Sequence, residues 1–267
     1  MRVGAVRSWV EALVGDRTLA RSVAGADRSR AVLPGVDVLS KLGHELRGPL
    51  NGIIGLVRIM RVKISTGSVD AGHQARQLEM IQHSADELLA TVERVADLAR
   101  LDATPVPAVL DQVDVGQIVS DVIVALRPGA IARGLQLSAD PPSGPVVVPA
   151  EPEHLRRLVT ELVDNAVKYT DSTQVRVRAT PTAGSGGLVE VSDDGPGIPT
   201  DQHDRLFAPF ARGAAAEDRA VAGSGLGLCL ARRIAVRCGA ELSLNSAPGT
   251  GSTFRIEWSG PPPRFTE

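Results

Sequence analysis

The sequence predicts an α+β chain: an antiparallel helical hairpin followed by an α/β sandwich built on a mixed sheet. Three observations carry this. First, Leu39, Leu42, Leu46, Leu50, Ile53, Val57, Met60 and Ile64 recur at steps of three and four, the spacing of a helix with one apolar stripe. Second, Leu78, Ile81, Ala85, Leu88, Val92, Val95 and Ala99 repeat that pattern after the turn-like run STGSVDAG. Third, beyond residue 112 short strand-like runs follow one another with only turn residues between them, as across residues 179–187. Strands joined so tightly cannot all be parallel, because a parallel pair needs a long crossover.

Composition narrows the class further. The 267 residues are enough for one large domain or two ordinary ones. Lys and Arg (29) nearly balance Asp and Glu (31), so no basic face argues for nucleic acid. Aromatic residues make up only 3%, which leaves core packing to Val, Leu, Ile and Ala. Cys229 and Cys238 share one predicted helix without metal-ligand or CxxC spacing and read as small core residues in a reducing compartment. The N-terminus lacks an apolar run of signal-peptide length, and no stretch approaches the roughly eighteen uncharged apolar residues of a membrane span. A soluble, cytoplasmic chain is the expectation.

Taken in order, residues 1–35 carry a short helical pattern that closes at Pro34-Gly35. The hairpin is expected over residues 36–103. Its first helix runs over about residues 36–63, with Pro49 inside it removing one backbone hydrogen bond and bending it. If Leu39, Leu46, Ile53 and Met60 take heptad position a, Leu42 takes d and His44 falls at f, farthest from the seam. An exposed imidazole beside the acid Glu45 is placed to react with something arriving from outside, although a solvated surface histidine fits the helix equally well. A lone hairpin cannot cover both apolar stripes, so pairing of two copies into a four-helix bundle is expected, the alternative being a hairpin packed on its own C-terminal domain. Residues 102–112 read as a proline-containing linker. A second domain follows over residues 108–260, with helices at 117–133 and 151–169 and strands at 146–148, 174–179, 188–192, 241–245 and 252–258. Residues 261–267 read as a disordered tail.

Four stretches of the second domain carry candidate chemistry. On ELVDNAVKYT, Glu161, Asn165 and Lys168 share one helix face. Hard oxygen ligands beside a compact positive charge suit a magnesium-bound phosphate chain, and a merely solvated polar face looks the same. In VSDDGPGIP, Asp193 stands at a strand end and Gly195 and Gly197 let backbone approach a flat ligand; a tight turn accounts for them equally well. Gly223, Gly225 and Gly227 lead into a helix starting near Leu226, whose free amides and dipole attract phosphate. The small-residue loop before them has the composition of a lid. In APGTGSTF, Thr253 offers a hydroxyl near a purine edge.

In identity and order, HELRGPLNGIIG, ELVDNAVKYT, SDDGPGIP, LFAPF, GSGLGL and PGTGSTF resemble the motif set of two-component sensor histidine kinases, over roughly residues 37–258. The resemblance implies a Bergerat-type ATP-binding domain behind a dimerisation and phosphoacceptor hairpin. It implies His44 as phosphoacceptor and Glu45 as the acid that orients its ring and takes a proton. Asn165 then matches the magnesium-ligating asparagine, and Lys168 and Tyr169 the residues lining phosphates and base. Asp193 matches the adenine-reading aspartate, and Gly195, Gly197, Gly223, Gly225 and Gly227, with Leu226, the pocket and lid. ATP and Mg²⁺ are the implied cofactors. The implied partners are a response regulator receiver domain, a second copy of the chain, and a separate sensor protein.

Two positions depart from the pattern. Gly48 stands where members that also dephosphorylate their partner carry Thr or Asn, which implies little phosphatase activity. Glu161 stands where many members have a second asparagine, and the same helix resembles that of the gyrase, Hsp90 and MutL ATPases, where such a glutamate activates water. An ATP hydrolase is therefore one alternative, with Glu161 otherwise joining the metal shell. A phosphotransfer scaffold with an inactive nucleotide domain is another.

Overall fold

The computed structural model describes residues 35–67, 70–107, 109–141, 144–170, 173–182, 186–213 and 223–258. The expected N-terminal helix, most of the lid-like loop and the disordered tail lie outside the described residues.

Helix α1 (Gly35–Ser65) contains Pro49 and ends near the expected position. Helix α2 (Ala71–Ala103) starts at Asp70, whose carboxylate accepts a 3.0 Å bond from the His73 amide and caps one of the free N–H groups. The two run antiparallel, and their register is fixed where Gly52 faces Ser84: a Cβ added to the glycine would lie 3.7 Å from the serine Oγ. His44 is exposed, as position f requires. Leu42 is buried, whereas Leu50, Ile54, Val57, Val62, Ile64, Leu78 and Leu89 remain exposed within the single chain.

The second domain is a five-stranded mixed sheet in the order β2-β4-β5-β7-β6, with a two-stranded β1-β3 ribbon beside it. Its strands are β1 (Asp111–Asp114), β2 (Gln136–Ala139), β3 (Val147–Ala150), β4 (Gln174–Thr182), β5 (Gly186–Asp193), β6 (Ala240–Ser246) and β7 (Ser252–Trp258). Only the β2–β4 pair in this sheet is parallel. Helices α3 (Val115–Ala132), α4 (Pro152–Tyr169) and α6 (Gly227–Arg237) pack on the sheet and on each other, and α5 (His203–Leu206) is a single turn after a 3₁₀ turn at Thr200–Gln202.

Alternation decides the faces. In β4, Val175, Val177 and Ala179 are buried, while Arg176 and Arg178 point to solvent and Arg178 pairs with Asp140. In β7, Phe254, Ile256 and Trp258 are buried. Leu155, Leu158, Leu162, Leu230 and Ile234 meet them from the helices. The core is aliphatic as composition requires, with Trp258 and Phe254 its largest members.

Three expectations need correction. The proline-containing linker is shorter than residues 102–112: α2 runs to Ala103 and β1 begins at Asp111, which leaves 104–110 between them. Strands β1 and β2 escape pattern reading because each has four residues and one buried apolar side chain. Helix α3 is, contrary to expectation, long and apolar enough to cross a membrane by length and composition. Part of its apolarity has a place in the fold: Val115, Ile118, Val119, Val122 and Ile123 form one face buried in the core, while Val124 and Ile131 on the other face are exposed.

The two domains meet along the C-terminal half of α2. Leu98 belongs to the sandwich core, with Val95 and Leu101 packed against it. Around this contact Arg157 pairs with Asp97 at 3.3 Å and Arg233 with Asp102 at 2.6 Å.

Candidate functional site

A cleft of about 330 Å³ opens along α4, bounded by the segment after β5 and by the start of α6. Helix α4 supplies its length. Its contribution to the lining runs from Glu161 to Tyr169. At about 1.5 Å rise per residue, this face extends for roughly 12 Å.

Asp193 and the turn after β5 form one end. Strand β5 ends at Asp193, whose Oδ1 accepts a 2.8 Å bond from the Gly195 amide. Burial pushes its carboxyl up to about 6, against the pull of the Gly195 amide. Gly195 does not line the cleft; it backs Asp193 against Thr170, whose Cα would lie 3.1 Å from an added Cβ. Gly197 lines the cleft and packs on the Ala247 carbonyl so closely that no side chain fits.

The opposite end is polar. Lys168 Nζ lies 2.6 Å from Asp164 Oδ2, and Asn165 sits beside this pair on the cleft wall. Glu161, only 3% exposed, accepts Arg94 Nε at 3.0 Å on both oxygens and lies 3.2 Å from Arg157 Nη2. Helix α6 begins directly against it: a Cβ on Gly227 would lie 2.6 Å from Glu161 Oε2. Between the ends, Gly223 approaches the Tyr169 hydroxyl, where an added Cβ would lie 2.9 Å away. Burial raises the Tyr169 phenol above its ordinary value.

The segment LFAPF locks onto the α6 entrance. Phe210 and Gly225 both take positive φ, 60° and 66°, and a Cβ on Gly225 would meet the Phe210 and Ala211 backbone at 2.7 Å. Only glycine holds this crossing without strain.

Most predicted residues therefore converge. Glu161, Asn165, Lys168, Tyr169, Asp193, Gly197, Gly223, Gly225 and Gly227 line one cleft. His44 and Glu45 do not line it and stand on the hairpin. Two further residues fall elsewhere. Leu226 is 1% exposed and its side chain fills the core, since the residue preceding α6 points inward. Thr253 hydrogen-bonds Ser192 across the strands at 3.1 Å, away from the cleft. Strand alternation gives the cleft face to Ser252 and Phe254 instead.

The two oxygens of Glu161, the expected metal ligand or water activator, are held by three guanidinium contacts. Among the cleft residues outside the sequence expectations are Arg94, which no motif flags, and Ser224, which stands in plain sight within GSGLGL. Ser224 Oγ is buried in the cleft wall with no hydrogen-bond partner among the described residues. That orphaned hydroxyl, three residues before α6 in a cleft that Lys168 also lines, fits an anionic ligand. Among the described residues no group of three or more His, Cys, Asp or Glu side chains gathers to hold a metal. A divalent ion here fits only as a companion of a phosphate ligand, with Asn165 as the adjacent oxygen donor.

A cleft with a half-buried carboxylate at one end and amides, lysine and arginine at the other, joined to a hairpin with an exposed histidine, defines the class: an ATP-binding α/β sandwich behind a phosphoacceptor hairpin. Residues 36–104 match the His Kinase A (phospho-acceptor) domain, and residues 150–261 the histidine kinase-, DNA gyrase B-, and HSP90-like ATPase domain. The sensor histidine kinase AruS of Pseudomonas aeruginosa is 36% identical over 226 residues, covering 82% of this chain and 22% of that protein. The signal transduction histidine-protein kinase BarA of Escherichia coli is 31% identical over 223 residues, 82% of this chain and 24% of the relative. Among solved structures, full-length ShkA in complex with AMPPNP superposes with TM-score 0.60 at 27% identity, over 86% of this chain and 47% of that one. The histidine kinase ThkA in complex with the response regulator protein TrrA shares the fold, with TM-score 0.63 at 19% identity, over 84% and 61% of the two chains. The chain belongs to the two-component sensor histidine kinases, and it spans about a quarter of the length of the curated relatives it matches.

Proposed function

We propose that this chain is an ATP-dependent protein histidine kinase that phosphorylates itself on His44 and passes the phosphoryl group to an aspartate of a response regulator. The observation that carries this reading is the convergence of Asn165, Lys168, Asp193 and the glycines of GSGLGL on one cleft, in a chain whose hairpin exposes His44.

Each residue has a task. Asp193 in ionised form accepts from the exocyclic amine of adenine. Lys168 and the α6 amides hold the polyphosphate. Asn165 would hold a magnesium ion, which would neutralise charge on the phosphates. One ring nitrogen of His44 attacks the γ-phosphorus, the bond to the β-bridging oxygen breaks, ADP leaves, and Glu45 takes the imidazole proton. The receiver of the group is an aspartate on another protein, a partner type supported by the TrrA complex of ThkA.

Two copies are the working unit in this reading. Leu50, Val57, Val62, Ile64, Leu78 and Leu89 are exposed in the single chain, and a second hairpin would bury them. A reducing, cytoplasmic setting agrees with Cys229 and Cys238 as buried free thiols. Water activation for ATP hydrolysis is the weaker reading, since the hairpin presents an exposed His44 and Arg157 engages the carboxylate that would activate water. Gly48 leaves no side chain to orient water beside a phosphorylated partner, so phosphatase activity is low.

Incubation with labelled ATP and Mg²⁺ tests the assignment. Acid-labile, alkali-stable label that disappears in His44→Gln supports it. Phosphate release without label marks a hydrolase, and neither marks a scaffold.

A further inference from the structure

Arg94 belongs to the hairpin, yet its guanidinium lines the cleft of the other domain. It is only 12% exposed, bonds both oxygens of Glu161 at 3.0 Å, and its Nη2 lies 3.6 Å from Asp164 Oδ2. Glu161 in turn abuts Gly227 at the start of α6, and Asp164 holds Lys168. Arg94 therefore stands at the polar end of the cleft, among the groups that would hold a polyphosphate. It is the one residue of the hairpin that lines this cleft among the described residues.

Resting on the assignment of this cleft to ATP, we infer that Arg94 is a nucleotide-responsive clamp between the two domains. With the cleft free of nucleotide, its pairs with Glu161 and Asp164 dock the ATP-binding domain on α2. A triphosphate entering the same end offers more negative charge, in a geometry that a guanidinium grips bidentately. Arg94 then exchanges its carboxylates for phosphate oxygens, and the docking contact weakens as the nucleotide binds. The surrounding pairs, Arg157 with Asp97 and Arg233 with Asp102, are more exposed and hold the dock less firmly.

The position of Arg94 along the hairpin gives this exchange a use. The Gly52–Ser84 contact sets the antiparallel register, which puts His44 level with the turn of α2 containing Thr91 and Val95. The clamp therefore sits at the height of the phosphoacceptor. Releasing it at that height loosens the loaded domain relative to His44, with Leu98 and Arg237 still holding the end of α2, while an empty domain stays docked.

Two measurements on the full chain test this. The first compares ATP with AMP binding by fluorescence competition in wild type, Arg94→Ala and Arg94→Lys. Losing a charged hydrogen-bond partner of the polyphosphate should weaken ATP about tenfold or more, with AMP nearly unchanged and Arg94→Lys in between. A purely structural arginine would leave the ATP-to-AMP ratio unaltered, and that result overturns the inference. The second uses spin labels in the double variant Ala99→Cys/Val236→Cys, both exposed sites, the native thiols being buried. Without nucleotide, pulsed EPR should give one narrow distance distribution; a non-hydrolysable ATP analogue with Mg²⁺ should broaden it, as should Arg94→Ala alone. A distribution indifferent to both changes overturns the clamp. If the wild type fails to bind ATP at all, the ATP assignment itself falls; ATP binding that ignores Arg94 removes only the clamp.

Discussion

The Gly195 amide donates a 2.8 Å hydrogen bond to Oδ1 of Asp193, and this bond does not fully offset the burial that lifts the carboxyl to about 6. The raised value fixes the sign of two effects. A carboxyl with a folded pKa above its ordinary 3.8 favours the folded state fully below that value and loses the contribution as pH rises through about 6. Asp193→Asn removes a half-buried charge above pH 6, so the variant should be more stable there by about 1 kcal/mol after solvent screening, with the gain vanishing near pH 4. ATP affinity should move the other way. Wild-type binding should weaken as pH falls below 6, and Asp193→Asn should lose about tenfold or more at pH 7.5. Thermal melts and nucleotide titrations across pH 4–8 check both; equal affinity at pH 5 and 7.5 would remove Asp193 from the purine contact.

Gly225 joins the α6 entrance to the LFAPF segment with φ 66° and no room for a side chain. Gly225→Ala combines left-handed backbone strain of about 1 kcal/mol with a collision against the Phe210 and Ala211 backbone. The expected loss is at least about 2 kcal/mol, a drop of roughly 5 °C in Tm, with ATP binding reduced further because the phosphate-facing amides move. Gly134 provides the comparison: its φ is 74° but nothing lies within 4 Å of an added Cβ. Gly134→Ala should cost the strain alone and leave ATP binding intact.

Such contrasts separate what a linear pattern carries from what only packing decides. The hairpin is legible because its stripes persist over many turns, and the cleft because its residues sit in short motifs of recurring order. Thr253 stands one residue from the cleft-facing positions, since alternation in a strand flips the face at every step and the motif alone does not say which neighbour faces in. Leu226 belongs to the core although its motif belongs to the cleft, because a helix start has both an amide that faces a ligand and a side chain that faces inward. Arg94 lies 67 residues from Glu161, and a pair made only when two domains dock leaves no periodic trace in sequence. Strands β1 and β2 depend on pairing with β3 and β4, so their short runs mean little in isolation.

Gly48 stands in α1 one residue before Pro49, and nothing lies within 4 Å of a Cβ built there. Beyond the helix itself no neighbour requires glycine, but the Pro49 ring crowds a Cβ on the residue before it in helical backbone. Gly48→Ala should therefore gain less than the roughly 1 kcal/mol of helix propensity, seen as a denaturation midpoint little changed from wild type. Gly48→Asn should add a side chain able to orient water. With a phosphorylated regulator found by phosphotransfer profiling, the wild type plus ADP should leave the decay rate unchanged and Gly48→Asn should accelerate it. A wild type that already accelerates decay would refute the link between Gly48 and low phosphatase activity.

Arg237 closes the junction between hairpin and sandwich. It is 7% exposed; its Nε donates to Glu151 at 2.6 Å, and its two terminal nitrogens donate to the Thr104 and Pro105 carbonyls at 2.7 and 3.1 Å. Burial pushes the Glu151 carboxyl up, but Arg237 and His154 together hold it below the usual value. A depressed carboxyl contributes stability above its unfolded value near 4.5 and loses it as pH falls through the folded value. Arg237→Ala should cost about 2–3 kcal/mol at pH 7, because it strands two carbonyls and a partly buried carboxylate. Arg237→Lys should recover only part of this, since one ammonium cannot reach three acceptors in the planar geometry of a guanidinium. The loss should shrink below pH 4.5, where protonated Glu151 needs no partner, leaving the part due to the carbonyls. Chemical denaturation of the three proteins at pH 7 and pH 4 separates the contributions: a penalty equal at both would assign the whole effect to the linker carbonyls and none to the ion pair.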